Sequence, residues 1–222
     1  NGMAARVLDN GGHISYRTEV DGTVSPYELN ITWWSAINRD RADEDEGLRV
    51  RRYLASRSIA LALMGVPGIY LHGLLGSEND TRTFLEERDR RAINRATLGK
   101  NDLLRSLNDS SSRTARVFGG MRAMLLARSG EKCFHPNAPQ RVLDADSGLF
   151  VLLRSAADGS ARLLAATNVT GRPRELRLNT GEAGLPEARW TDILDGSAFG
   201  GEGGSLAIAI EPYGVRWLRA GA

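Results

Sequence analysis

The chain is poor in cysteine, lysine and uninterrupted apolar sequence. Cys133 is the only cysteine, so neither an internal disulfide nor a multi-thiolate metal site can form, and a reducing compartment suits such a chain. Lys100 and Lys132 are the only lysines among 29 basic residues, and 27 acidic residues oppose them, leaving a formal net charge of +2. That balance argues against a nucleic-acid partner, whose grip requires basic charge gathered on one surface. The longest apolar run, Ser58 to Leu75, is broken by Gly65, Pro67, Gly68, His72 and Gly73, whereas a bilayer-spanning helix needs about 20 mostly apolar residues. No membrane anchor is expected. His13, His72 and His135 lie far apart, and neither His-Glu-x-x-His nor Cys-x-x-Cys occurs, so no metal centre is expected either.

What is present reads as an ordinary globular chain of one or two domains: 222 residues, 41% hydrophobic and 25% charged. Met3 to Leu8 reads as a short helix running into Gly11-Gly12, with no secretory leader pattern and nothing before it to pack against. A fragment of a longer chain is the expectation. Asp43, Glu44, Asp45 and Glu46 precede an apolar-periodic stretch with Val50, Leu54 and Leu61, which predicts a helix from Glu46 to Met64, ended by Gly65. Val66 to His72 is short, apolar without alternation and bounded by breakers, the pattern of a parallel-sheet strand buried on both faces. Gly76 to Asn108 reads as a polar loop too long for a mere connector.

Ser110, Ser111 and Ser112 offer caps to a second helix carrying Val117, Met121, Met124 and Leu125, with Gly130 at its end. Beyond it the texture turns to short β segments: Gly148–Arg154, Ala161–Thr167, Arg174–Leu178, Arg189–Leu194, Ser205–Ile210 and Gly214–Leu218. Ala157-Asp158-Gly159 supplies a hairpin turn, and Leu206, Ile208 and Ile210 alternate with alanines, so an antiparallel sandwich is expected. The fold class is therefore α/β plus all-β, divided near Gly130 into residues 1–130 and 131–222.

Residues able to carry chemistry are few. The glycine patch Gly200–Gly204 lacks the Lys-Ser/Thr and following helix of a phosphate loop and reads as a flexible turn. Asn168-Val169-Thr170 has glycosylation-acceptor spacing, a triplet that also arises by chance. In barrels of alternating strands and helices, the loops after the strands build the active site, and Glu78, Asn79 and Asp80 fall just beyond Val66–His72; turn formation is their plainer reading. A second polar loop, Gly11 to Asn30, carries His13, Tyr16, Arg17, Tyr27 and Glu28, groups able to contact sugar or phosphate. Of Trp33 and Trp34 behind it, at least one is expected in the core.

Several stretches in order carry a family resemblance. They are Gly11-Gly12-His13-Ile14-Ser15-Tyr16-Arg17, Asp21 to Asn30 (DGTVSPYELN), Gly65 to Tyr70 with Gly76-Ser77-Glu78-Asn79-Asp80, Arg91-Ala92-Ile93-Asn94-Arg95, and Glu211 to Leu218. Together they resemble the sucrose phosphorylase subgroup of glycoside hydrolase family 13, across essentially the whole chain. The resemblance implies the C-terminal end of a TIM (β/α)8 barrel followed by an antiparallel β-sandwich, with Val66–His72 as the barrel's closing strand, a placement on which the phosphorylase reading rests. It also implies a bacterial, cytoplasmic enzyme that transfers glucose with retention from an α-glucoside to orthophosphate, the co-substrate, and uses no cofactor or metal. The family's nucleophile, acid/base and stabilising aspartate precede the part seen here, so the chain alone is expected to be inactive. Expressed alone, it is expected to expose the apolar face of Val66–Leu71 and to aggregate.

By the same resemblance Arg91 matches the family's glucose-binding arginine, and Tyr27 and Glu28 match the acceptor loop. His13 and Arg17 are candidate donors to an anionic acceptor. Pro-Tyr-Glu departs from the sucrose-specific pattern and looks more like relatives acting on phosphorylated sucrose, glucosylglycerate or glucosylglycerol. Two other readings stay open: an α-glucosidase or transglucosylase of the same family, and a non-catalytic carbohydrate-binding β module.

Overall fold

The structure, a computed structural model, describes residues 2–38, 44–181, 184–185, 189–201 and 204–221. Asp43 and the Glu202-Gly203 part of the glycine patch lie outside the described residues. Two compact units form, residues 1–49 with 69–118 and residues 50–68 with 119–222. A cut near Gly130 does not coincide with them, because residues 50–68 and 119–130 pack with the β-rich remainder.

In the first unit α1 (Gly2–Asp9) ends where the sequence breaks at Gly11-Gly12. The Gly12 N–H donates to the Val7 carbonyl at 2.9 Å and the Gly11 N–H to Leu8 at 3.0 Å, with Gly11 left-handed at φ 74°. This is the double bond of a Schellman cap. A Cβ on Gly12 would lie 2.8 Å from Val7 and 2.9 Å from Ile31, so only glycine allows the chain to turn back so tightly. It returns as β1 (His13–Thr18) and β2 (Val24–Asn30), an antiparallel hairpin with a bulge between Ser15 and Tyr16. The expected loop from Gly11 to Asn30 is thus largely paired strand. Next come α2 (Trp33–Ile37), with Trp34 buried and Trp33 half exposed, and the start of α3 (Glu46–Ala62).

Two expectations fail here. Residues 66–70 belong to no strand, and the chain enters α4 (Leu71–Leu75) directly. Val66 is 82% exposed and Tyr70 57%, so Val66–His72 is not a buried parallel strand. A strand buried on both faces needs a neighbour on each side to bond its backbone; Pro67 brings no N–H, and every strand pair among the described residues is antiparallel. Nor is Gly76–Asn108 a loop. It contains α5 (Thr81–Glu87), a 3-10 turn at Arg90–Asn94 and α6 (Lys100–Asn108). The Asp80 side chain caps α5 by accepting from the Thr83 N–H at 2.9 Å, and Asp89 caps the turn through the Arg91 N–H at 2.9 Å. As expected, Ser112 caps α7 (Arg113–Ser129), accepting from Ala115 N–H at 3.0 Å.

The second unit holds β3 (Gln140–Leu143), β4 (Leu149–Ser155), β5 (Arg162–Asn168), β6 (Arg174–Asn179), β7 (Trp190–Asp192), β8 (Ala198–Phe199), β9 (Ser205–Ile210) and β10 (Val215–Ala220). Six strands form one antiparallel sheet in the order β3-β4-β5-β10-β7-β8, and β6 pairs with β9. Leu176, Leu178, Leu206, Ile208 and Ile210 from the small sheet join Val151, Leu153, Leu164 and Trp190 from the large one in a single core, which is the expected sandwich. The large sheet's other face is covered as well: Ser58 of α3 meets Thr167 of β5 at 3.0 Å between hydroxyls, and Phe134 packs on Trp217 at 4.7 Å. Burial on both faces explains why β5 reads as a continuous apolar run. Asn168 is fully buried and its amide donates to the Arg172, Ile210 and Glu211 carbonyls at 2.7, 3.2 and 2.8 Å.

Arg154, also fully buried, carries no carboxylate partner among the described residues. Its guanidinium donates to the carbonyls of Ala62 at 2.6 Å and of His135 and Ala138 at 3.0 Å each. Replacing Arg154 with Met strands the buried Ala62 and Ala138 carbonyls, so Arg154→Met is expected to destabilise this unit by about 2–4 kcal/mol, read as a shift in the urea-unfolding midpoint at constant slope.

Candidate functional site

The β1–β2 hairpin gathers the residues singled out above. His13 lies opposite Asn30 and Ser15 opposite Glu28 in the ladder, so these four share one face of the pleat. The Asn30 amide confirms it by donating to Ser15 Oγ at 2.9 Å. Ile14 points the other way and is buried. Opposite the polar face stand α5 and the 3-10 turn. Arg91 Nε donates to Glu28 Oε2 at 3.2 Å, and the His13 ring stacks on Phe84 with centroids 3.8 Å apart and planes at 26°.

Nearer the hairpin tip, Arg17 Nε donates to Glu19 Oε1 at 2.8 Å, and its guanidinium lies 5.7 Å from the Tyr27 ring centroid. Ser25 Oγ bonds the same Glu19 oxygen. The Ser25 hydroxyl and then the Arg17 guanidinium hold the Glu19 carboxyl below its ordinary range. The structure therefore brings Glu28 to Arg91, Arg17 to Tyr27 and His13 to Phe84, with each arginine matched by a carboxylate. Side-chain exposures of 49% and 34% for Arg91 and Glu28 mean that their pair adds little to stability, about 0–1 kcal/mol. Its importance is positional. Glu19 and Phe84 were not singled out in the sequence, since nothing local marks either as a partner.

Behind the hairpin, within the same unit, Asn79 fixes the chain from three sides. Its Oδ1 accepts from the Thr32 N–H at 2.8 Å, its Nδ2 donates to the Gly11 carbonyl at 3.2 Å, and its N–H donates to Ser35 Oγ at 3.1 Å. Asn79 shapes the loop, as its residue type suggested. Glu78 bridges Arg113 and, at 3.7 Å, Arg49, whose guanidiniums lie 5.0 and 5.6 Å from the Trp34 ring. A cleft of about 670 Å³ is lined by Asn10, Ser35, Asn38, Arg49, Glu78 and Asn79 among others. Among the described residues no group of three or more His, Cys, Asp or Glu could hold a metal ion, and no helix is long and apolar enough to cross a membrane.

No family model matches the chain. A glucosylglycerate phosphorylase of Spirochaeta thermophila is 36% identical over 221 residues, covering 97% of this chain and 37% of that protein. Proteins named glucosylglycerate phosphorylase and sucrose 6(F)-phosphate phosphorylase are thus homologues of this chain. It spans about 37% of the length of that curated relative. The sucrose 6F-phosphate phosphorylase from Thermoanaerobacter thermosaccharolyticum superposes with a TM-score of 0.58 at 21% identity, over 76% of this chain and 31% of that one. AmyP in complex with maltose gives 0.66 at 14% identity, over 81% and 36%. At these identities the two structures show a shared fold and nothing finer.

One titratable group supports the loop that presents Asn79. His72 is buried, its Nδ1 lies 3.1 Å from Ser77 Oγ, and its carbonyl accepts the Ser77 N–H at 3.0 Å. Burial pushes its pKa below the ordinary value near 6.5. The unfolded chain then binds the proton more readily than the folded one, so stability is complete above about pH 6.5 and is lost as pH falls towards the folded value. The melting temperature is expected to drop between pH 7.5 and 5, and His72→Gln to flatten that dependence.

Proposed function

We propose that these residues are part of a retaining glycoside phosphorylase that moves a glucosyl group from an α-glucoside to orthophosphate, with glucosylglycerate as the first candidate substrate. The observation that carries the reading is the 36% identity to a glucosylglycerate phosphorylase along 97% of the chain. In such a reaction one enzyme carboxylate attacks the anomeric carbon while a carboxylic acid gives its proton to the departing glycerate oxygen. A phosphate oxygen then displaces the carboxylate and yields its proton to the same acid/base residue, giving α-glucose 1-phosphate. Both carboxyl groups, and the stabilising aspartate, belong in this reading to sequence beyond these 222 residues. In this reading the chain carries the C-terminal part of a (β/α)8 barrel, followed along the sequence by the β-sandwich, in a bacterial cytoplasmic enzyme without metal or organic cofactor.

Within that scheme Arg91 presents its fork to two glucose hydroxyls. Tyr27 and Glu28, carried on β2, shape the place of the leaving group and the incoming phosphate. His13 and Arg17 on β1 lie along the same strand and offer donors to the acceptor. What supports this assignment is the hairpin face shared by His13 and Glu28, the 5.7 Å approach of the Arg17 guanidinium to the Tyr27 ring, and the 3.2 Å contact between Arg91 and Glu28.

The test is made on a protein of the relatives' length that carries this chain. Release of α-glucose 1-phosphate from glucosylglycerate is expected only with orthophosphate present. Free glucose formed without phosphate identifies an α-glucosidase instead. Arg91→Ala is expected to lower kcat/KM roughly 30- to 200-fold, the loss of one or two charge-assisted hydrogen bonds, with the melting temperature unchanged.

A further inference from the structure

We infer that Phe84 is a positioning residue for His13: its ring, stacked on the imidazole, fixes the imidazole plane so that the ring nitrogens meet an anionic oxygen of the acceptor, the carboxylate of glycerate or the orthophosphate that follows it. The inference rests on the reading of His13 as a donor to the acceptor and adds to it the group that aims the donor.

The ladder alone leaves the imidazole free to turn. Pairing with Asn30, which is fully buried and bonded to Ser15, sets where the His13 backbone sits. It does not set the ring plane, because the second side-chain torsion of histidine has a broad, roughly two-fold profile. Phe84 supplies the missing constraint: the ring centroids are 3.8 Å apart and the planes 26° from parallel, which is van der Waals contact face to face. Contact on the face spares the edge. Imidazole makes its hydrogen bonds through Nδ1 and Nε2, in the ring plane, and among the described residues neither nitrogen of His13 carries one. Arg17 and Arg91, by contrast, each give Nε to a carboxylate. His13 is thus a polar ring held by an apolar one, with its polar edge left for a ligand.

Phe84 is itself held rigidly. Its N–H donates to the Asp80 carbonyl at 3.2 Å, and its carbonyl accepts from the Arg88 N–H at 2.9 Å, so both of its backbone groups are engaged. At the start of α5 the Asp80 carboxylate takes the N–H and the hydroxyl of Thr83, at 2.9 and 2.7 Å. The Asp80 N–H in turn donates to the Ile93 carbonyl at 2.8 Å, within the 3-10 turn that carries Arg91. The stacking ring and the arginine assigned to glucose hang from one support. The donor for the acceptor is thereby kept in register with the fork for the sugar.

The test is kinetic, on a protein of the relatives' length that carries this chain. KM is measured for orthophosphate in phosphorolysis and for glycerate in the reverse direction, with α-glucosyl fluoride as a donor that contains neither anion. Phe84→Leu keeps apolar bulk and removes the aromatic face; it is expected to raise one or both anion KM values roughly 3- to 10-fold, with the fluoride's KM within about twofold of wild type. A rise for one anion alone identifies the one that the ring meets. Phe84→Tyr keeps the stack and is expected to restore wild-type values. His13→Ala is expected to show the same rise, and adding Phe84→Leu to it to cost nothing more, because Phe84 acts through the ring. If Phe84→Leu folds poorly, Phe84→Met takes its place in the cycle. Independent losses in the double variant, or unchanged KM for both anions without the aromatic face, overturn the inference and leave His13 as a donor. Wild-type KM for both anions in His13→Ala overturns that role and the inference with it. Absence of phosphate-dependent α-glucose 1-phosphate release overturns the proposed function itself.

Discussion

The β-rich unit hangs on one buried cation. Arg154 projects from β4, and its guanidinium collects carbonyls from the end of α3 and from residues 135 and 138. Beside it Arg128 donates to Leu61 and Gly65 carbonyls at 2.6 and 3.0 Å. Both lie over the Phe134 ring, at 5.9 and 5.3 Å. The last carbonyls of a helix carry the negative end of its dipole and have no partner within the helix. Two arginines supply those partners here, and burial pushes the Arg154 pKa down without a carboxylate to oppose it. The end of α3, the path of residues 132–138 and the position of β4 are thereby fixed together.

Much of this unit was legible in the sequence, for a physical reason. Ser205 to Ile210 alternates because one face of β9 meets the core and the other meets water, and the Asp158-Gly159 turn marks the hairpin between β4 and β5. The first unit was harder to read. The β1–β2 pairing hides its alternation behind a bulge and Pro26, so polar side chains suggested a loop where the backbone forms a ladder. Asp80 and Asp89 were signals for the α5 cap and the turn, yet the polar run around them outweighed two single residues.

The strand expected at Val66–His72 was the central error. An apolar run between glycines is compatible with a buried strand, but the sequence cannot supply the neighbours on which that strand depends. The phosphorylase reading from sequence hangs on this stretch as a barrel strand; with that strand absent, its support is the 36% identity to a glucosylglycerate phosphorylase along 97% of the chain. Residue type and resemblance single out His13, Arg17, Tyr27, Glu28 and Arg91. Their partners are not legible in this way: Glu28 and Arg91 are separated by 63 positions, and no local pattern announces a contact across that distance.

Asn168 carries a lesson for how this protein is handled. Its side-chain nitrogen is the atom that three carbonyls share, and it is also the atom to which an oligosaccharyltransferase would attach a glycan at Asn168-Val169-Thr170. In a eukaryotic secretory host that enzyme meets the nascent chain before β5 is paired, and a bulky carbohydrate on that nitrogen leaves no room for the corner it must close. Bacterial cytosol without that machinery is the production route that leaves this corner intact.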